Sequence, residues 1–256
     1  MTTPKSTPTP TESSWQNTLD RVKEHVFSIA TPSGSGTGFL VARSSDQKVI
    51  GVATAFHVIQ DSYEWNQPVR LTHFASGKSV LLTERSRSIH VKERQDSALI
   101  RLKRGKFRLP KTTLERINEG YHKRAAVEIG WCGFPAVSPR ELCFFSGRIS
   151  AYLDEEDAYL VDGVAINGVS GGPVFDLWGT AFGLVTAYIP NRQRGEPLPG
   201  VSLVRSLHPL VEFFQEVTGA PTESSADTSI TEPPKLEPPP GMTEPPVEKP
   251  TKQGRS

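Results

Sequence analysis

Three short segments carry side chains that could work together on a carbonyl. Thr54-Ala55-Phe56-His57-Val58 places a histidine at the end of an apolar run, VIGVATA. Asp96-Ser97-Ala98-Leu99-Ile100 opens a second apolar run on a lone acid. Gly168-Val169-Ser170-Gly171-Gly172-Pro173-Val174 wraps one serine in glycines ahead of a third. A serine hydroxyl is a poor nucleophile until an adjacent imidazole takes its proton. That imidazole needs an acid on its other nitrogen to fix its tautomer and to stabilise the imidazolium. The carbonyl oxygen gains charge in the transition state and needs two preorganised donors, each worth on the order of 3 kcal/mol. Glycines around a serine let the backbone turn tightly enough for its amides to converge. Gly168 and Ser170, two apart, can both supply such amides. The chain order His, Asp, Ser is one of the arrangements in which such a triad occurs.

The competing residues are weaker. Asp61 follows His57 too closely, Asp162 lies in the serine's own segment, and Asp176 reads as a turn acid. His25, His73, His90, His122 and His208 lack sequence partners and read as surface or strand-face residues.

The elements that must position these groups are strands. Trp15, Leu19, Val22 and Val26 stand at helical spacing and predict a short amphipathic helix over 15–26. After Gly34-Ser35-Gly36 the period becomes strand-like, with candidate strands at 37–43, 48–54, 68–74, 78–84, 86–92 and 97–102. A basic, polar connection occupies 103–124. A second set follows at 125–131, 140–151, 157–162, 173–176, 180–188 and 200–204, then a closing helix over 205–217. Two sets of six short strands predict two all-β units side by side, and not βαβ. Periodicity alone does not separate barrel from sandwich.

Composition divides the 256 residues into two materials. Twelve of the 22 prolines fall in residues 1–14 and 221–256. These ends cannot bury enough apolar surface to offset their ordering entropy and are expected to be disordered. The 206 residues between them suffice for one large domain or two small lobes. The formal net charge is +1, and the densest basic run, Lys103 to Arg108, has no second run to reinforce it, so no nucleic acid is expected as partner. There is no apolar leader and no run of about 18 apolar residues, which predicts neither secretion nor membrane insertion. Cys132 and Cys143 stand outside any metal-ligand spacing and read as free thiols. Together these features predict a cytoplasmic protein with no metal and no cofactor. The Pro-rich end repeats TEPP without a PxxP pattern and reads as a solvated spacer.

The chain resembles the trypsin/chymotrypsin-like serine peptidases, in particular the bacterial branch that includes the high-temperature-requirement proteases. The resemblance is carried by GSGTGFLV (34–41), TAFHV (54–58), DSALIRL (96–102), GFP (133–135), SGRIS (146–150), AINGVSGGPVF (165–175) and GLVTA (183–187). It implies two six-stranded antiparallel β-barrels, the first over about 34–102 and the second over about 125–204. It implies His57 as general base, Asp96 as its orienting acid, Ser170 as nucleophile, and an oxyanion hole made by the amides of Gly168 and Ser170. Thr186 falls where the family often places a hydroxyl beside the buried acid, so a Thr186–Asp96 hydrogen bond is expected. The resemblance also places Val164 near the base of the primary specificity pocket, with Thr186, Ala187 and Tyr188 along its wall. An apolar, shallow pocket of this kind predicts small or medium apolar side chains before the scissile bond.

The sequence departs from the family at two points. Val169 stands where zymogens of the trypsin type keep an acid that pairs with a newly cut N-terminus, so activation by such a cut is not expected. One residue fewer separates Asn167 from Ser170 than in the bacterial relatives. The 36 residues after 220 are too few for the peptide-binding module that many of those relatives append. The resemblance thus implies a serine endopeptidase acting on a protein or peptide substrate, with a regulatory protein as a second expected partner. The competing reading is a catalytically silent barrel used as a binding module.

Overall fold

The computed structural model describes residues 10–105, 107–114, 125–190 and 197–218. The ends expected to be disordered, apart from residues 10–14, and much of the 103–124 connection lie outside the described residues.

Seven strands build the first sheet: β1 (Val26–Ala30), β2 (Ser35–Arg43), β3 (Val49–Ala55), β4 (Val69–His73), β5 (Ser79–Leu82), β6 (Arg87–Lys92) and β7 (Ser97–Lys103). Their order is β5-β4-β1-β2-β3-β7-β6, antiparallel throughout. Six more form a closed barrel, β10-β13-β12-β11-β8-β9. These are β8 (Glu128–Gly133), β9 (Cys143–Leu153), β10 (Ala158–Asp162), β11 (Pro173–Phe175), β12 (Ala181–Pro190) and β13 (Pro197–Ser206). The all-β, two-unit expectation holds, and the second unit closes with six strands. The first unit differs: it has a seventh strand, and β5 and β6 stand at its edges.

The extra strand is β1. Val-Phe-Ser-Ile-Ala continues the apolar spacing of the preceding helix, so periodicity carried the predicted helix through Val26. In the structure α1 spans Pro10–Val22, and a single 3-10 turn, Lys23–His25, ends it where Val26 takes an extended backbone. The helix therefore begins inside the segment assigned to the N-terminal tail. A second helix, α2 (Phe56–Glu64), follows β3 directly and was not legible as one, because its N-cap is Ala55, which offers no capping side chain.

The central strands are buried on both faces. All but one residue of β3, and all but one of β2, are buried. Each terminal helix crosses to the opposite unit. Trp15 of α1 packs on Phe144 and Phe175, and Thr18 and Arg21 hydrogen-bond the carbonyls of Leu177 and Trp178, all in the second unit. The closing helix α3 (Val211–Thr218) leaves the second barrel and lies against the first sheet, where Phe213 packs at a tilt on His90 and receives the Lys92 ammonium over its ring. The two units are thus strapped together from both ends of the fold.

Two of the histidines read as surface or strand-face residues are in fact buried. His73 is held between Ser76 Oγ and the Glu24 carbonyl, and His25 between the carbonyls of Arg21 and Thr112. Burial pushes both imidazoles below their ordinary range. For His25 the two facing carbonyls favour the imidazolium, but the loss of solvation outweighs them.

Candidate active site

Strand register builds the first half of the site. β3 and β7 pair from Val49↔Lys103 to Ala55↔Ser97, so the end of one strand meets the start of the other. His57 is the second residue of α2 and Asp96 immediately precedes β7; pairing brings residues 39 apart in sequence into contact. Asp96 closes a 3-10 turn with φ +44°, a left-handed conformation that aspartate tolerates better than most residues. Held there, it receives both leading amides of α2. Phe56 N–H donates to the Asp96 carbonyl at 3.1 Å and His57 N–H donates to Asp96 Oδ1 at 2.9 Å. The cap that Ala55 cannot give comes from across the sheet, and the carboxylate faces the positive end of the helix. Its other oxygen, Oδ2, lies 2.8 Å from His57 Nδ1. The carboxylate thus grips one residue by both backbone and ring. This fixes Nδ1–H and leaves Nε2 as the basic nitrogen.

The second half is the glycine turn. Gly171 has φ +82°, and a methyl there would come within 2.2 Å of the Thr37 carbonyl and 2.8 Å of Ala55 N. Only glycine lets the turn press this closely on the strand from which His57 springs. Three consecutive peptides of the turn are fixed by their carbonyls. Asn167 O accepts from Ala136 N at 2.7 Å, Gly168 O from Thr37 Oγ1 at 2.9 Å, and Val169 O from Gly172 N at 2.9 Å. A trans peptide points its N–H opposite its C=O. Anchoring Asn167 O and Val169 O therefore orients the amides of Gly168 and Ser170, and neither donates to an acceptor among the described residues. The Ser170 hydroxyl donates to the Thr186 carbonyl at 3.2 Å. It makes no hydrogen bond to His57.

Residues 36–184, more than half of the chain, match the trypsin-like peptidase domain. The chain belongs to the trypsin-like peptidase family. Three crystal structures share its fold. That of Deg5 has TM-score 0.62 and 18% identity, over 82% of this chain and 96% of that one. The inactive form of the Rv3671c protease has TM-score 0.56 and 18% identity, over 85% and 100%. The inactive form of the Ser343Ala mutant of Rv3671c from M. tuberculosis H37Rv has TM-score 0.55 and 17% identity, over 88% and 100%. No curated protein matches the chain.

The remaining residues expected around this trypsin-like site fall out unevenly. Thr186 is buried, and its hydroxyl donates to Leu203 O at 3.3 Å and not to Asp96, whose two oxygens are taken up by His57. Its contribution to the site is its carbonyl. Val164 is 52% exposed, on a link pinned at both sides. Ser202 Oγ donates to Gly163 O and accepts from Ala165 N, so the neighbours of Val164 are tied to β13. Ala187 and Tyr188 pair with Leu203 and Ser202 in the β12–β13 ladder, and their side chains lie outside the described residues. Val169 is fully buried in the apolar cluster of the second barrel, where a zymogen's acid would need a counter-charge.

One residue at this site was not anticipated. Thr37 donates to Gly168 O through its hydroxyl and to Ser170 O through its amide. The available sequence signal was a hydroxyl residue between two glycines, Gly36 and Gly38, at the head of an otherwise apolar strand. Both cysteines are free, and among the described residues no cluster of His, Cys, Asp or Glu is placed to hold a metal ion. No described helix is long and apolar enough to cross a membrane.

Proposed function

We propose that the chain is a serine endopeptidase that works through His57, Asp96 and Ser170 and an acyl-enzyme intermediate. The observation that carries this reading is the double grip of the Asp96 carboxylate on His57, beside a glycine turn with two free, oriented amides. Ser170 Oγ leaves the Thr186 carbonyl by rotation about its side chain and attacks the substrate carbonyl carbon. Its proton passes to His57 Nε2 and then to the departing amine as the peptide bond breaks. The Gly168 and Ser170 amides receive the negative oxygen. Water, deprotonated by the same imidazole, then attacks the ester and restores the serine. Catalytic hydrogen bonds tighten in the substrate complex, so the resting bond to Thr186 is compatible with this sequence of steps.

An alkyl fluorophosphonate tests the proposal without knowledge of the substrate. It should label the full chain at Ser170, and Ser170→Ala and His57→Ala should abolish labelling. Labelling that persists in His57→Ala would count against the triad.

The same resting hydroxyl favours a second reading, a silent barrel that binds proteins without cutting them. Absence of labelling at Ser170 in a folded chain would support it.

Within the peptidase reading, a half-exposed Val164 supports a preference for small or medium apolar residues before the scissile bond. Cleavage after Arg or Lys in peptide profiling would turn attention to Asp162, at the end of β10. A cytoplasmic location would require restraint of the activity, through narrow substrate choice or a partner that adjusts the 162–169 segment. Indiscriminate cleavage of casein by the isolated chain would argue against it.

A further inference from the structure

Thr37 is fully buried at the head of β2, 131 residues from Gly168, and it is the point where the first sheet takes hold of the oxyanion turn. Its hydroxyl is saturated by two main-chain partners: it donates to Gly168 O at 2.9 Å and accepts from Phe134 N–H at 3.0 Å. Its amide donates to Ser170 O at 2.8 Å, and its carbonyl accepts from Thr54 Oγ1 at 2.7 Å. Every polar atom of this residue is therefore committed. The hydroxyl also ties together the two segments that shape the oxyanion turn. Phe134 lies two residues before Ala136, whose amide anchors the Asn167 carbonyl. Gly168 is backed directly by this segment, since a methyl on it would lie 2.3 Å from Phe134 O.

We infer that Thr37 is a positioning residue that holds the oxyanion turn in its donating orientation through its side-chain hydroxyl; this rests on the serine-peptidase reading. The Gly168–Val169 peptide sits between the two donors of the proposed hole. Gly168 has φ +92°, and glycine allows that peptide to rotate with little steric resistance. What resists rotation is the hydrogen bond at each carbonyl. With the Thr37 hydroxyl removed, Gly168 O loses its buried donor, which frees the Gly168–Val169 peptide to rotate. Phe134 N–H loses its acceptor, which loosens the 134–136 segment whose Ala136 amide anchors Asn167 O. The turn then regains an alternative in which its two flanking amides, Gly168 N–H and Ser170 N–H, no longer converge on the substrate oxygen. Thr37 touches neither the substrate nor the reacting atoms.

Thr37→Val keeps the shape and removes the hydroxyl, while Thr37→Ser keeps the hydroxyl and removes the methyl. Saturation kinetics with an alkyl fluorophosphonate separate binding of the probe from the chemical step at Ser170. In Thr37→Val the maximal labelling rate should fall about 10- to 100-fold, less than the about 100- to 1,000-fold of deleting an oxyanion donor, with half-saturation nearly unchanged. Thr37→Ser should return the rate to within about threefold of the wild type. Exchange of the Val169 amide, which donates to Ile166 O inside the turn, should quicken in Thr37→Val and not in Thr37→Ser.

A Thr37→Val chain that loses thermal stability but keeps its labelling rate would show a merely structural role and overturn the inference. So would a Thr37→Ser chain that labels no faster than Thr37→Val, and, if Thr37→Val does not fold, a folded Thr37→Ser chain with a labelling rate reduced tenfold or more. A wild type that is not labelled refutes the peptidase reading alone, and the Val169 exchange comparison then decides the role of Thr37.

Discussion

Replacing Asp96 by asparagine changes one atom of the proposed triad, and the structure dictates how the variant must settle. Two donors meet the carboxylate: His57 N–H at 2.9 Å from Oδ1 and the His57 ring Nδ1 at 2.8 Å from Oδ2. An asparagine has one oxygen and one NH2 for these two places. With its oxygen on the backbone amide, its NH2 faces Nδ1, which must then be unprotonated. The imidazole proton moves to Nε2, the atom that has to accept the serine proton. The flipped amide would set NH2 against the His57 N–H, two donors face to face, leaving a main-chain amide unsatisfied at a cost of about 1–3 kcal/mol. The tautomer swap is the cheaper outcome. Its effect on the chemical step should be a loss of about 10,000-fold, or about 5.5 kcal/mol of transition-state stabilisation. The assay is the second-order rate of fluorophosphonate labelling at neutral pH, with thermal melting as a check that the chain remains folded. A folded Asp96→Asn chain labelled within about tenfold of the wild-type rate would falsify the assignment of Asp96 as the orienting acid.

Three further outcomes follow from the geometry. Gly171→Ala adds a methyl at φ +82°, 2.2 Å from the Thr37 carbonyl, and should cost about 3 kcal/mol of stability together with most of the labelling; an unchanged melting temperature would contradict the close approach of the turn to β2 and β3. His73 and His25 have imidazoles lowered by burial from an ordinary value of 6.5, so the unfolded chain takes up protons more readily than the folded one. Their stabilising contribution is whole above that value and is lost as pH falls from it toward the folded-state values. His73→Gln should flatten the fall in melting temperature between about pH 7 and pH 5, and an equally steep fall would locate the acid sensitivity elsewhere. Trp15→Ala removes a ring that packs on Phe144 and Phe175 and an indole N–H that donates to Glu128, and should cost about 2 kcal/mol, lowering the melting temperature by about 4–8 °C. No change there would mean that α1 is not part of the folded core.

Much of the fold was legible because strand signals are local. The apolar run VIGVATA, the run opened by Ser97 and the glycine turn before Pro173 each fell on or beside a strand of the structure, close to its expected limits. What failed were the junctions. β1 carries the same apolar spacing as the end of α1, so nothing in Val-Phe-Ser-Ile-Ala marks the change from helix to strand; pairing with β2 and β4 makes it a strand. α2 has no cap of its own, and Asp96, 39 residues away, supplies one. The burial of His25 and His73 was likewise invisible, because each is enclosed by segments distant in sequence.

The amino-acid sequence by itself determined the chemical inventory: a histidine at a strand end, an acid at a strand start, a serine among glycines, and two all-β units to carry them. Those are properties of short segments, written in residue type and spacing. Only the tertiary structure decided how the inventory is joined. It put both oxygens of Asp96 on His57, turned the Ser170 hydroxyl to Thr186 O, took the Thr186 side chain away from Asp96, and made Thr37 the clasp on Gly168. The physical reason is that each of these is a hydrogen bond between groups 16 to 131 residues apart. Such bonds form only after strand register and the packing of one unit on the other have brought the partners within 3 Å or so, and no local pattern encodes that distance.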